Sequence, residues 1–334
     1  MRSLDLRGSV RNLLATLPPA TRRAWLWDVA TGACAGVYLG SVWTFAARIA
    51  RAELSATATQ MGWMAAAPAI GYMFATVWAR QMEGKSKLPF VYWTWLVARG
   101  LFMLAPLIRT REQFVLLVCA TPIIFSISSP AYTAIMRDIY PDELRGRLMS
   151  FVRIILNAVT LGTALLAGRL LDRGLDWRMA FLIGGGFGAL SAWTFSRIRI
   201  PQTNEPARAV PSTTAFLKDT LDILRRNPGY RWFTASVFVY GFGNLVASTI
   251  YPIYQVDRFA ITNTEVANLQ NVAAGATMLG YFFWGWFMDR RGPLLTVLIA
   301  IGIVCTMPLT YAMATRVEML RIAAAAGGLA MSAI

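Results

Sequence analysis

The chain has 334 residues, 56% of them apolar, with a mean hydropathy of +0.49 and a formal net charge of +15. The apolar residues form long uninterrupted blocks, which excludes an ordinary soluble domain and is typical of a polytopic helical membrane protein. The basic residues lie between these blocks and not on one face, so the charge indicates membrane topology and argues against nucleic-acid binding.

Several kinds of catalytic and metal site are excluded by residues that the sequence lacks. It has no histidine, which removes a Ser-His-Asp triad, a His-ligated metal site and a His proton relay. It has no Gly-x-x-x-x-Gly-Lys loop, which disfavours ATP-driven pumping by this chain. Cys34, Cys119 and Cys305 lie far apart in apolar runs, which predicts reduced, packed thiols. We therefore expect a protein that is not an enzyme and that uses no cofactor and no metal.

The first part of the chain is predicted to be a basic tail followed by six membrane helices. Residues 1–24 form the tail, either disordered or with a short surface helix that ends at Pro18 and Pro19. Each later apolar block can cross a bilayer core of about 30 Å at about 1.5 Å per residue. These helices form an N-terminal half at 25–196 and cover about 25–47, 56–78, 90–108, 114–136, 148–171 and 179–195.

A polar linker at 197–231 separates this half from an incomplete C-terminal half at 232–334. Within the linker, residues 213–226 place apolar side chains on one face and charged ones around the other, which predicts a helix lying on the cytoplasmic membrane surface. Helices 7 to 9 are predicted at about 232–256, 265–288 and 294–312, and a tenth begins near Leu320.

The second half repeats the first. Helices 7 and 8 follow helices 1 and 2 by about 207 positions, and the turn after helix 8 matches the turn after helix 2. The same offset puts the end of a full second half about seventy residues beyond Ile334. We therefore expect a C-terminally truncated chain without helices 11 and 12.

The loop charges predict the orientation in the membrane. Lysine and arginine are about twice as frequent in the loops on the N-terminal side as in those on the other side. This bias predicts a cytoplasmic N-terminus in a multi-pass protein of the cell inner membrane.

A charged turn joins helices 8 and 9. It carries Gly285, Asp289, Arg290 and Gly292 in the spacing Gly-x-x-x-Asp-Arg-x-Gly, which resembles the loop signature of major facilitator superfamily transporters. The turn after helix 2 departs from the signature, since alanines replace the expected glycine and aspartate. The resemblance implies an all-α polytopic membrane protein, a two-half helical bundle of which about ten of twelve transmembrane helices are present.

The resemblance also implies a gate. In such transporters the signature aspartate lies near the N-terminus of a helix from the opposite half, where unpaired backbone N–H groups and the helix dipole stabilise its charge by roughly 0.3–1 kcal/mol. Asp289 would then face the start of helix 5, beside Arg145 and Arg147, and would close the cytoplasmic side. The alternative is a solvated turn that only fixes topology.

Charged side chains inside membrane helices are costly and usually face a cavity or a partner helix. Asp28, about one turn into helix 1, is the candidate for proton coupling, and the alternative is a residue at the membrane rim paired with arginines of the tail. Arg153 and Asn157 share a face of helix 5. Either they bind an anionic or polar substrate, or Arg153 extends to the inner surface.

The resemblance places helices 1, 4 and 7 around a central cavity. Polar side chains on these helices are therefore candidates for substrate contact, with packing between helices as the alternative for each. Besides Arg153 and Asn157, the candidates are Tyr38, Ser126, Ser129, Tyr132, Tyr240 and Asn244.

These features predict a secondary active transporter of a small organic solute that works by alternating access, with proton coupling expected from the family. Its partners would be the small molecule, protons and the lipid bilayer, and we expect a monomer that binds no nucleic acid. One alternative is a non-transporting receptor or scaffold on a transporter-like fold. A second, less supported, is a membrane enzyme, which would need clustered acid, base or metal-ligating groups.

Overall fold

The computed structural model describes residues 17–200 and 222–333, and these residues form helices and no strand. The main helices, numbered in chain order, are α1 (Pro19–Glu53), α2 (Ala58–Met73 and Ala75–Gln81), α3 (Leu88–Leu107), α4 (Arg111–Ser126 and Ser129–Ile139), α5 (Asp142–Asp172), α6 (Trp177–Ser196), α7 (Pro228–Phe259), α8 (Asn263–Arg291), α9 (Pro293–Met313) and α10 (Val317–Met331). The all-α architecture expected from the sequence is confirmed.

Six of these helices, namely α1, α3, α5, α6, α7 and α9, are long and apolar enough to cross a membrane. The two segments of α4 are bent by 43° and make a seventh span if they are counted together. Helix α2 is interrupted at Phe74, and α10 has 15 residues. Helix α8 has 29 residues but carries four side-chain amides in its first third, which lower its hydropathy.

The first helix is longer than predicted. Helix α1 begins at Pro19 and continues to Glu53, whereas its apolar block covers only 25–47. Backbone hydrogen bonding continues a helix past the point where its side chains become polar, so the limits of an apolar block underestimate its length. In the linker, residues 222–226 are helical. Residues 1–16 of the predicted tail and 201–221 of the predicted linker lie outside the described residues.

The loop predicted at 137–147 is mostly helix. Helix α4 ends at Ile139, and α5 begins at Asp142 directly after Pro141. Proline at this N-cap position disfavours helical backbone at the preceding Tyr140, which is extended and ends α4. Arg145 and Arg147 therefore lie in the first two turns of α5 and not in a loop.

Small residues let α1 pack closely against α5 in the N-terminal half. A Cβ atom added to Gly36 would lie 2.7 Å from the carbonyl oxygen of Leu156 on α5. Helix α6 approaches α3 in the same way, since a Cβ on Gly185 would lie 2.7 Å from the backbone nitrogen of Met103. Close backbone approach at small residues is a common basis of helix packing in lipid. Helix α1 is thus enclosed by α5 and α6.

The C-terminal half is less enclosed. Helix α8 packs against α10, where Thr277 Oγ1 donates to the Gly328 carbonyl at 2.9 Å and Trp284 Nε1 donates to the Leu329 carbonyl at 2.8 Å. Helix α9 packs on the other side of α10. None of the residues of α7 is buried.

Polar contacts join the two halves at one end of the bundle, where α1 ends and α8 begins. Arg48 Nη1 donates to Asn263 Oδ1 at 2.9 Å, and Arg51 of α1 pairs with Asp257 of α7. We call this end, formed by residues 48–57, 172–177 and 257–265, the Arg48 end. The opposite end, formed by residues 137–147 and 288–293, is called the Asp289 end.

Candidate functional site

A cavity of about 1140 Å³ lies along α7. Helices α8, α9 and α10 form most of its other walls, and α1 closes part of it with Thr44, Ala47 and Arg48. The face of α7 that lines the cavity carries aromatic, polar and small side chains. The polar residues of the lining with an amide or phenol group are Tyr240, Asn244, Tyr251, Gln255, Gln270 and Tyr311.

The cavity is mostly apolar and holds no acidic side chain among its lining residues, where Arg48 is the one charged residue. Two tyrosines form an aromatic wall, since the rings of Tyr251 and Tyr311 stack with centroids 4.1 Å apart. Gln255 Nε2 donates to the Tyr311 hydroxyl at 2.7 Å and so orients that ring. An apolar cavity with a few convergent polar groups is the usual form of a small-molecule site. Its charge favours a neutral or anionic ligand over a cation.

Two of the substrate-contact residues predicted from the sequence, Tyr240 and Asn244, line this cavity. The other six do not belong to its lining. Among them, Tyr38 is buried, and its hydroxyl accepts a hydrogen bond from Trp43 Nε1 at 2.7 Å. Ser126 is also buried and donates to the Gly71 carbonyl at 3.0 Å, which joins α4 to α2. In this conformation Ser126 holds two helices of the N-terminal half together, whereas the Tyr38 hydrogen bond stays within α1.

The remaining predicted contacts lie in the N-terminal half with partial or full exposure. Ser129 and Tyr132 are half-buried at the start of the second segment of α4, and the Tyr132 ring lies 5.6 Å from that of Trp95. Arg153 and Asn157 are exposed on α5. Their roles in substrate contact stay predictions.

Asp28 is buried in α1, where 3% of its surface is exposed. The hydroxyl of Tyr140, between α4 and α5, donates to Asp28 Oδ2 at 2.7 Å. The described residues contain no ion pair between Asp28 and Arg22 or Arg23, both of which are exposed. The carboxyl group is therefore held inside the N-terminal half, and among the described residues the predicted alternative, pairing with Arg22 or Arg23, is not observed.

Arg99 on α3 is a buried cation without an acidic partner among the described residues. Its Nη1 donates to Ser191 Oγ on α6, and its guanidinium lies over the Trp95 ring, 4.1 Å from the centroid. Such cation–π contacts offset part of the cost of burying the charge. Arg99 therefore ties α3 to α6.

The contacts at the Arg48 end were missed by sequence reasoning. Arg48 Nε donates to the Ile261 carbonyl at 2.7 Å, and both guanidinium nitrogens Nε and Nη2 of Arg51 reach the Asp257 carboxylate, at 2.8 and 2.5 Å. The positions were noted in the sequence only as loop charges that indicate topology. Two arginines three residues apart at the end of a membrane helix could have suggested a contact surface.

The predicted gate residues at the Asp289 end are separate in this conformation. The Asp289 side chain is exposed and makes no hydrogen bond or ion pair with any described residue. Arg145 Nη2 instead pairs with Asp142 at 2.5 Å, within α5. The Arg290 guanidinium lies over the Trp286 ring at 4.4 Å. Gly285 and the left-handed Gly292 have no neighbour within 4 Å of an added Cβ.

The family model of the Major Facilitator Superfamily matches residues 29–334. The chain belongs to this superfamily. No curated protein is similar enough in sequence to match it. The described residues also contain no group of three or more Cys, Asp or Glu side chains that could hold a metal ion.

Solved structures of transporters share this superfamily fold. A bacterial homologue of the human lysosomal transporter Spinster is 18% identical with a TM-score of 0.61, and the match covers 95% of this chain and 74% of that chain. The nucleoside transporter NupG is 14% identical with a TM-score of 0.64, covering 95% and 80%. A D-xylose–proton symporter is 15% identical with a TM-score of 0.55, covering 93% and 79%. At these identities the likeness concerns the fold.

Proposed function

We propose that this superfamily member is a secondary active transporter that moves a small organic solute by alternating access, as a monomer in the cell inner membrane with its N-terminus in the cytoplasm. The observation that carries the proposal is the unequal connection of the halves. They are joined by hydrogen bonds at the Arg48 end, while among the described residues the gate residues at the Asp289 end make no side-chain hydrogen bond or ion pair with the other half. In the proposed orientation this conformation is closed outside and opens to the cytoplasm.

The solute is proposed to bind along α7, where Tyr240 and Asn244 face the cavity. Arg48 is the one charge in the lining and closes the cavity at the end where the halves meet. These groups suit a neutral or anionic solute with an apolar or aromatic body and a few hydrogen-bonding groups.

The N-terminal half is proposed to supply further contacts when the halves rock. Arg153 and Asn157 are exposed on α5 and one turn apart, so both can reach the same solute. Ser129 and Tyr132 follow the 43° bend of α4 and are half-buried there. Tyr38 and Ser126 would need to exchange their present partners to take part.

Proton coupling is proposed to use Asp28. Its carboxyl group is buried and, among the described residues, has one hydroxyl partner and no ion pair, so binding a proton removes a charge that this environment disfavours. The Tyr140 hydroxyl, which bonds Asp28, lies directly before the start of α5 and so connects this residue with the Asp289 end.

The gate at the Asp289 end is proposed to close when the solute moves outward. Asp289 would then meet the first turns of α5, near Arg145 and Arg147, with Gly285 allowing close approach and Arg290 and Gly292 shaping the turn.

Counterflow in liposomes tests the proposal. The purified protein is reconstituted with an excess of unlabelled solute inside, and uptake of radiolabelled nucleosides, sugars and organic acids is measured in turn. We expect at least one neutral or anionic solute to accumulate transiently. Tyr240→Ala and Asn244→Ala should each reduce this uptake by roughly tenfold or more, the effect of losing a substrate contact of about 1.4 kcal/mol.

The matched control is Tyr281→Ala, which removes an exposed tyrosine of α8 outside the cavity and should leave uptake unchanged. Saturable binding of a solute without counterflow would contradict transport and would favour the receptor alternative. Equal loss in all three variants would contradict the location of the site.

A further inference from the structure

The N-terminus of α8 is capped by a carboxylate from the other half of the molecule. Asp172, the last residue of α5, accepts a hydrogen bond from the backbone N–H of Asn263 at 2.9 Å through Oδ1, and from that of Thr264 at 2.8 Å through Oδ2. Asn263 Nδ2 donates to the same Oδ1 at 2.9 Å. One side chain of the N-terminal half thus holds the first two residues of a helix in the C-terminal half.

The Asp172 cap adds to a capping box that α8 forms with its own residues. The Thr262 side chain accepts from the Glu265 N–H at 3.2 Å, and the Glu265 carboxylate accepts from the Thr262 N–H at 2.9 Å. The backbone N–H groups of Asn263 and Thr264 have no acceptor within α8, because the first turn of a helix leaves its N–H groups unpaired. Their acceptor is Asp172, so separation of the halves at this end leaves them without it.

Close approach of the two helices depends on a glycine one turn before Asp172. A Cβ added to Gly168 would lie 3.0 Å from the Asn263 carbonyl oxygen and 3.2 Å from the Thr264 Cα. Gly168 and Asp172 are four residues apart and therefore lie on the same face of α5. Together they form a Gly-x-x-x-Asp segment that fits the start of α8.

The same segment occurs at the end of α8. Gly285 and Asp289 are also four residues apart near the C-terminus of their helix, as Gly168 and Asp172 are in α5. Helices α5 and α8 come from different halves and pack against each other near the start of α8. In this conformation the α5 segment is engaged, whereas the Asp289 side chain has no partner among residues 17–200 and 222–333 and Gly285 has no described atom within 4 Å of an added Cβ.

We propose that Asp172 and Asp289 are alternating caps, each of which closes one end of the α5–α8 pair by binding the first turn of the other helix. This inference rests on the proposed alternating access and adds Asp172 and Gly168 as positioning residues for the conformational step. The helices have 31 and 29 residues, so the two caps lie near opposite ends of the pair. Rocking of rigid helices that brings one cap into contact separates the other.

Pulsed electron paramagnetic resonance of spin-labelled protein in liposomes tests this inference. One label pair replaces Leu175 and Arg316 at the Arg48 end, and a second pair replaces Arg137 and Leu294 at the Asp289 end; all four residues are exposed. The three native cysteines are first replaced by serine or alanine.

Asp172→Ala should widen the Leu175–Arg316 distances and shorten the Arg137–Leu294 distances. We expect the ratio of closed to open molecules at the Arg48 end to fall roughly 3- to 30-fold, the range for loss of one helix cap. Asp289→Ala should shift the populations in the opposite direction, toward the conformation described above.

Asp176→Ala is the matched control. Asp176 accepts the Arg178 N–H at 2.9 Å and caps α6 inside the N-terminal half, so its removal should leave both distance distributions unchanged. Asp172→Asn and Gly168→Leu give independent variants if Asp172→Ala folds poorly. The first removes the charge and one acceptor oxygen, the second blocks the approach of α8, and both should shift distances as Asp172→Ala does.

Unchanged distances in the folded Asp172 and Gly168 variants would overturn the inference, as would an equal shift in Asp176→Ala. The result is separable from the fate of the transport proposal. Expected distance shifts in a protein without counterflow would keep the alternating caps and contradict transport. Counterflow by the parent protein, together with unchanged distances in the Asp172 and Gly168 variants, would support transport and contradict the alternating caps.

Discussion

Helices α1 and α7 are equivalent by the predicted sequence repeat, yet their surroundings differ. Helix α1 lies between α5 and α6 and has eight buried residues in its first twenty, whereas α7 has none in thirty-two. Gly36 and Gly40 of α1 correspond to Gly243 and Ala247 of α7 by the offset of about 207 positions. The first pair contacts α5 and the second lines the cavity. Small residues thus permit close packing, but a neighbouring helix decides whether a face is buried.

Buried charged residues also differ between the two halves. Asp28 and Arg99 are the buried charged residues of the described chain, and both lie in the N-terminal half. Each has its polar partner in that same half, Tyr140 for Asp28 and Ser191 for Arg99. Both buried charges therefore find their partners within the N-terminal half, and variants in the two halves should respond differently.

The largest expected effect is that of filling the glycine face. Gly36→Leu places a Cβ 2.7 Å from the Leu156 carbonyl oxygen and 2.9 Å from Val159 Cβ, and the backbone of α5 cannot yield without moving the helix. We expect a loss of about 3 kcal/mol of stability, measured by thermal unfolding in detergent. Gly243→Leu is the matched variant on α7, where an added Cβ has no neighbour within 4 Å, and it should cost less than about 1 kcal/mol. Equal losses would contradict the difference between the halves.

A smaller loss is expected from Ser191→Ala. The change removes the hydroxyl that accepts from the buried Arg99, so an N–H group of a buried cation loses its partner at a cost of about 1–3 kcal/mol. Ser236→Ala on α7 is the control, because that hydroxyl is exposed and bonds only the Trp232 carbonyl of its own helix, at 2.9 Å. Unfolding midpoints of both variants in detergent test this, and a harmless Ser191→Ala would mean that Arg99 needs no partner on α6.

The buried acid should matter for coupling more than for folding. Asp28→Asn keeps an oxygen that can accept from Tyr140 but cannot bind and release a proton. We expect uptake driven by an imposed proton gradient to fall about tenfold or more, equivalent to about 1.4 kcal/mol, while counterflow without a gradient persists. Glu318→Gln, at an exposed acid near the start of α10, should change neither assay. A gradient response retained by Asp28→Asn would exclude Asp28 as the proton site.

The smallest effect is expected for the exposed ion pair that joins the halves. Arg51 and Asp257 contact at 2.5 Å, but both side chains are partly exposed to solvent, at 27% and 44%. Exposed pairs contribute about 0.2–1 kcal/mol, and salt screens them. A double-mutant cycle of Arg51→Ala and Asp257→Ala in thermal unfolding should give a coupling in this range that declines in 1 M salt. A larger, salt-independent coupling would mean that this pair, and not the Asp172 cap, holds the Arg48 end closed.

Local features of this protein were readable from the sequence. The spacing of Gly285, Asp289 and Gly292 predicted the superfamily that the family model confirms, and the apolar blocks predicted the ten helices. The capping box of Thr262 and Glu265 follows from residues three apart. Each of these depends on neighbours along the chain, whose geometry the helix period fixes.

The contacts that join separate helices were decided by the tertiary structure. Arg99 and Ser191 are 92 positions apart, Asp172 and Asn263 are 91 apart, and Arg48 and Asn263 are 215 apart. No local pattern marks such pairs, because the sequence around a polar residue near a helix end is the same whether its side chain contacts water, lipid or another helix. Likewise, Gly36 of α1 and Gly243 of α7 match by the repeat offset, but only the packed bundle determined that the first is buried and the second exposed.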